Sequence, residues 1–91
     1  MLKVINKIPT KPGIYKFYDK SRKLLYIGKA KNLKSRVKSY FAKSSDLSPA
    51  KEIMVSNIKK IEFTIVNNEK EALLLESSLI NKYKAMYNID L

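Results

Sequence analysis

The chain has no cysteine, no histidine and no tryptophan, and in 91 residues it holds two glycines and three prolines. Without cysteine there can be no disulfide staple, thiolate zinc site or thiol nucleophile. Without histidine, imidazole metal sites and Ser-His-Asp triads are excluded as well. No apolar run approaches the roughly 18 residues that a membrane-spanning helix requires, and the N-terminal MLKVINKIPTK lacks the apolar core of a secretion signal. Acids are scarce too: eight Asp and Glu face nineteen Lys and Arg, a formal charge of +11. What remains is one small domain, expected in the cytoplasm, whose natural partner is a polyanion rather than a metabolite or a membrane.

The positive charge is lopsided. Residues 1–45 carry thirteen basic side chains and one acid, Asp19, a net of +12, whereas residues 46–91 carry six basic and seven acidic, a net of −1. A one-sided cationic field of this kind concentrates phosphate backbones. Simple solvation of the surface by lysine is the plainer alternative, because lysine outnumbers arginine seventeen to two.

Local patterns predict the order β-β-α-α-β-α. After a basic arm, Lys11-Pro12-Gly13 is a turn signal, and Ile14–Tyr18 is β-branched and aromatic, as a strand should be. A polar turn over Asp19–Lys23 leads to a second strand, Leu24–Gly28, making a hairpin. Asn32 is placed to cap a helix from Leu33 to about Phe41, with Leu33, Val37, Tyr40 and Phe41 on one apolar face. Ser48-Pro49 is a cap followed by a first-turn proline, predicting a helix to about Asn57 that buries Ile53, Met54 and Ile58. Ile61–Val66 alternates as a third strand. Asn68 with Glu71 resembles a capping box and opens the longest helix, to about Lys82–Lys84, followed by an extended or irregular tail at Tyr87-Asn88-Ile89. The expected architecture is a small α/β domain: a short three-stranded sheet, mixed or antiparallel, flanked by about three helices. Register and strand order are not readable from these patterns.

Two features stand outside routine folding. Placing residues 72–83 at about 100° per residue puts Ala72, Leu73, Leu79, Ile80 and Tyr83 on one arc, and Glu76 falls inside it. A carboxylate on a core-facing stripe costs several kcal/mol unless paired or bound to a cation. One reading is an ion pair with a lysine; the other is an oxygen ligand for Mg²⁺ or Mn²⁺, the metal chemistry still open without His or Cys. The second feature is that both glycines sit at strand ends beside tyrosine, Gly13-Ile14-Tyr15 and Tyr26-Ile27-Gly28. Glycine there allows close backbone approach or a positive φ.

The two triplets, ten residues apart, with Lys29, Arg36 on the next helix and Glu76 late in the chain, resemble the GIY-YIG nuclease family. Within it the UvrC-like branch is the nearer match, through Pro9–Tyr15, Tyr26–Leu33, Ser39-Tyr40-Phe41, Glu71–Glu76 with Leu79-Ile80, and Tyr87-Asn88. The resemblance runs from Pro9 to Leu91. It implies metal-dependent hydrolysis of a DNA phosphodiester by a monomeric domain, in excision repair the incision 3′ to a lesion in damaged duplex, with UvrB as protein partner. By that likeness Glu76 holds one Mg²⁺ or Mn²⁺, Arg36 stabilises the transition state, and Tyr15 or Tyr26 takes the proton from water. Lys29, Tyr40 and Asn88 complete the site, and Lys29, Lys31, Lys34, Arg36 and Lys38 contact DNA.

The residues themselves add that Arg36 and Tyr40, at i and i+4, flank the apolar face of their helix. An arginine there, in a lysine-rich chain, suggests a planar fork for phosphate. A tyrosine base needs a nearby cation, since its ordinary pKa is about 10. One departure is Ala85, where UvrC-like sequences carry proline; without that stop the end of the long helix is left unspecified. The residues leave two alternatives: a non-catalytic basic nucleic-acid-binding module, or a GIY-YIG nuclease of the homing or restriction type. The second would need a recognition domain for which 91 residues leave no room, so this domain is expected to be the N-terminal part of a longer chain.

Overall fold

The computed structural model describes residues 2–42 and 47–89. Its elements are α1 (Leu2–Asn6), β1 (Gly13–Tyr18), β2 (Leu24–Ala30), α2 (Leu33–Tyr40), α3 (Pro49–Asn57), β3 (Lys60–Ile65), α4 (Glu69–Tyr83) and α5 (Met86–Ile89). The sheet is antiparallel throughout, in the order β2-β1-β3, so the Gly-Ile-Tyr strand lies in the middle. No helix among the described residues is long and apolar enough to cross a membrane.

The predicted caps are in place. The Asn32 side chain accepts from the Ser35 amide at 3.0 Å, Ser48 from Lys51 at 3.3 Å and Asn68 from Glu71 at 2.9 Å. Each satisfies an amide that a helix start leaves without a partner. The box at α4 closes one residue earlier than expected, because Glu71 accepts from the amide of Asn67 at 3.2 Å.

Each face of the sheet buries its own cluster. On one, Tyr15 and Phe17 pack with Ile5 and Ile8, with Leu33, Val37 and Tyr40 of α2, and with Met54 and Ile58 from α3 and its end. On the other, Ile14 and Ile27 pack with Ala72 of α4 and with Ala85, joined by the half-buried Leu75, Leu79 and Ile80. Alternation along β1 thus feeds two layers of helices, α/β/α.

The structure corrects several expectations. The basic arm contains α1, missed because one short turn carries no cap signal; Ile5 and Ile8, three apart, pin the segment to the core. Ile53 is 58 % exposed, since the buried side of α3 is the one carrying Met54. Leu73 and Tyr83 also leave the predicted arc and stand about half exposed, because α4 lies over β2 and β1, and the real stripe is Ala72, Leu75, Glu76, Leu79 and Ile80. The Tyr87-Asn88-Ile89 tail is helical, not extended. The long helix stops at Tyr83 without a proline. Lys84 takes the left-handed conformation (φ 47°, ψ 57°) and donates its N–H to the Ile80 carbonyl, and Ala85 is buried just beyond.

Candidate active site

Register brings the two triplets together. Tyr15 stands opposite Gly28 on β2 and opposite Phe63 on β3. A Cβ on Gly28 would overlap the ring and hydroxyl of Tyr15, so glycine is needed there for the tyrosine to lie across the strand. A Cβ on Gly13 would likewise overlap the Thr64 carbonyl and come within 2.7 Å of Leu33 Cδ1. Neither glycine has a positive φ; of the two sequence readings, close approach holds.

Three tyrosines form the centre. The Tyr15 and Tyr40 hydroxyls are hydrogen bonded at 2.9 Å, and the Tyr26 ring lies 6.2 Å from Tyr15 and 6.3 Å from Tyr40, with Phe17 beneath. Tyr15 is 2 % exposed, whereas Tyr26 is half-buried. Burial pushes both phenols well above the ordinary tyrosine range, and the hydroxyl and charge of Tyr40 add to it. Glu76 raises Tyr26 further, and Arg36 pulls both back down. Thus Glu76 and Arg36, from α4 and α2, act on the same phenol with opposite sign.

Glu76 differs from the other described carboxylates. Asp19 accepts from two turn amides, Glu62 from Tyr18 and Lys60, Glu69 pairs with Lys31, Glu71 accepts from Asn67, and Glu52 is exposed. Glu76 is half-buried, with no hydrogen bond and no ammonium or guanidinium within 4.0 Å among the described residues. The lysine ion pair considered from sequence is therefore not formed. No group of three or more acidic side chains gathers among the described residues, so a cation here would keep most of its ligands as water or substrate oxygen. That donor set suits Mg²⁺ or Mn²⁺.

The predicted cations fall into two sets. Lys29, Lys31 and Arg36 line one depression with Ala72 and Glu69, and Lys31 pairs with Glu69 at 3.3 Å. Lys34 and Lys38 project from the side of α2 roughly opposite Arg36, so they do not join that group.

Asn88 engages backbone. Its Oδ1 accepts from the Ile27 amide at 2.8 Å and its Nδ2 donates to the Ile27 carbonyl at 2.9 Å. Since β2 is an edge strand, this amide stands in for a missing neighbour exactly where Tyr26 and Gly28 must be held. Sequence reasoning also passed over Lys51, whose ammonium lies 5.7 Å from the Tyr26 ring centre and 5.9 Å from that of Tyr40. The available signal was a lysine in the first turn of α3, where an acid is preferred.

Known proteins extend this description. A family model described as the UvrC-like GIY-YIG domain matches residues 11–89. The UvrABC system protein C of Borrelia duttonii is 53 % identical over 91 residues, all of this chain but 15 % of that protein. That of Methanospirillum hungatei is 51 % identical over 87 residues, 96 % of this chain and 16 % of the relative. The chain therefore spans about a seventh of the length of the curated relatives it matches. Among solved structures, the GIY-YIG N-terminal endonuclease domain of UvrC from Thermotoga maritima, bound to its catalytic magnesium, superposes with a TM-score of 0.81 at 36 % identity. That match covers 94 % of this chain and 92 % of the other. With the paired triplets packed tyrosine on glycine and the family match spanning almost every element, this chain belongs to the UvrC-like GIY-YIG domain family.

Proposed function

We propose that this chain is a metal-dependent DNA endonuclease domain that makes the incision 3′ to a lesion in nucleotide excision repair. It would act in the cytoplasm, within a longer protein that works with UvrB on damaged duplex. The observation that carries the reading is Glu76: a half-buried carboxylate with no ammonium or guanidinium within 4.0 Å among the described residues, which acts electrostatically on Tyr26. Magnesium bound to the Thermotoga maritima domain supports it.

Glu76 would hold a single Mg²⁺ or Mn²⁺, which when bound polarises the scissile phosphate and offsets its growing negative charge. The chain's own groups do the rest. Tyr26 is the better base of the two tyrosines, because it is half-buried and reachable by water, whereas Tyr15 is enclosed. As phenolate, its own proton first released to solvent, Tyr26 accepts the water proton at its phenolic oxygen, and Arg36 is the neighbour that favours that charged form against the burial that opposes it. The Arg36 guanidinium presents a planar fork to the phosphoryl oxygens as charge gathers in the transition state. Lys29, on the strand that carries Tyr26, adds an ammonium at the depression it lines with Arg36. Asn88 holds the Ile27 backbone, between Tyr26 and Gly28, through both polar atoms of its side-chain amide.

The test is Glu76→Gln, which preserves shape and removes charge. Mg²⁺-dependent nicking of duplex DNA should fall at least about 100-fold, in line with loss of an electrostatic stabiliser, while the melting temperature holds. Nicking at the wild-type rate would reject the assignment.

A further inference from the structure

Lys51 lies on α3, an element that carries none of the family motifs, yet its ammonium sits over the faces of Tyr26 and Tyr40. Three observations set it apart from an ordinary surface lysine. First, Ser48 caps α3 and Pro49 is its first residue, so Lys51 occupies the third helical position. A cation there opposes the helix dipole, and the capping pattern begun by Ser48 would favour Glu or Gln. Second, no carboxylate oxygen of the described residues lies within 4.0 Å of its ammonium, so the charge is not cancelled. Third, the residue is half-buried and two aromatic faces fix where the charge sits. A local folding rule is broken, and the result is a positioned, uncompensated cation at the rim of the tyrosine cluster.

Lys29, Lys31 and Arg36 supply positive charge from β2, the turn after it and α2. Of these, Arg36 acts on the tyrosine cluster, and Lys51 reaches that cluster from α3, a separate element. We infer that Lys51 is a further substrate-binding residue, contacting a backbone phosphate of the cut strand beside Tyr26 and Tyr40. This rests on the reading of the cluster as the place where DNA is cut, and it extends the phosphate-binding surface to an element outside the motifs. A cation already held by two rings loses little freedom on meeting a phosphate, so the contact orients the strand as well as attracting it.

The experiment measures binding of the 91-residue chain to a short labelled DNA duplex across a salt series without divalent metal. Each phosphate contact contributes about 0.9 to the log–log slope on duplex and about 0.7 on a single strand. Lys51→Met should flatten the slope by that amount, Lys51→Arg should keep it, and Lys20→Met, in the exposed β1–β2 turn, should leave it unchanged. Melting temperatures are recorded for all three. A Lys51→Met slope equal to that of wild type, with only the melting temperature lowered, would overturn the assignment and leave Lys51 as packing over the rings. So would equal flattening by Lys20→Met, which would mean a diffuse field. If the slope responds as expected but the wild-type chain never nicks with Mg²⁺, the nuclease reading fails and the phosphate contact stands.

Discussion

At the scale of single residues, the pairing of the two glycine triplets is a matter of space. Tyr15 lies across the backbone of Gly28, and any side chain at 28 would collide with its ring. Gly28→Ala must therefore push Tyr15 off its hydrogen bond to Tyr40 or spread β1 from β2. Overpacking of this sort costs about 1–3 kcal/mol, so the urea midpoint of Gly28→Ala should drop accordingly. An unchanged midpoint would mean that the tyrosine is not held as described. The same crowding explains how a glycine with ordinary φ can still be irreplaceable.

Among elements, α4 ends by a device the sequence did not announce. Lys84 adopts a left-handed conformation that costs an L-residue roughly 1–2 kcal/mol, partly offset here by its hydrogen bond to Ile80. Lys84→Gly relieves that cost and loses some unfolded-state advantage, for a net gain of about 0.5–1 kcal/mol. Thermal melts should show a rise of roughly 4 °C, whereas a fall would contradict the cap. Elements of this kind mark how far the sequence could be read. The three Asn and Ser caps, the three strands and the long helices were legible because each depends on residues within four positions of one another. Register was not, since it turns on Tyr15 meeting Gly28. Nor was the Asn88 clamp on Ile27, which joins residues 61 apart. Glu76 was legible as a misplaced carboxylate, but which neighbours of its stripe would be covered, Leu75 rather than Leu73, depended on where α4 settles on the sheet.

For the whole molecule, the tyrosine cluster couples folding to alkaline pH. Tyr15 and Tyr26 hold their protons in the folded state beyond the ordinary range, and Tyr18 is pushed up to about 12 by loss of hydration and then by its hydrogen bond to Glu62. Above about pH 10 the unfolded chain releases phenol protons that the folded chain keeps, so it binds fewer protons and stability falls as pH rises. The contribution is fully present below that pH, and for Tyr15 the loss approaches about 1.4 kcal/mol per pH unit. The informative quantity is the difference between wild type and Tyr15→Phe, which isolates the buried phenol from every other group in the chain. Wild type should lose stability more steeply than the variant, and parallel curves would contradict the buried phenol.

Everything said about chemistry depends on Glu76 being a metal ligand rather than a carboxylate tolerated for its shape. The most direct measurement is anomalous diffraction from crystals of the chain soaked in Mn²⁺. The account predicts a peak beside the Glu76 carboxylate that disappears in Glu76→Gln. No peak in the wild-type crystal, with a lysine ammonium against that carboxylate instead, would contradict it.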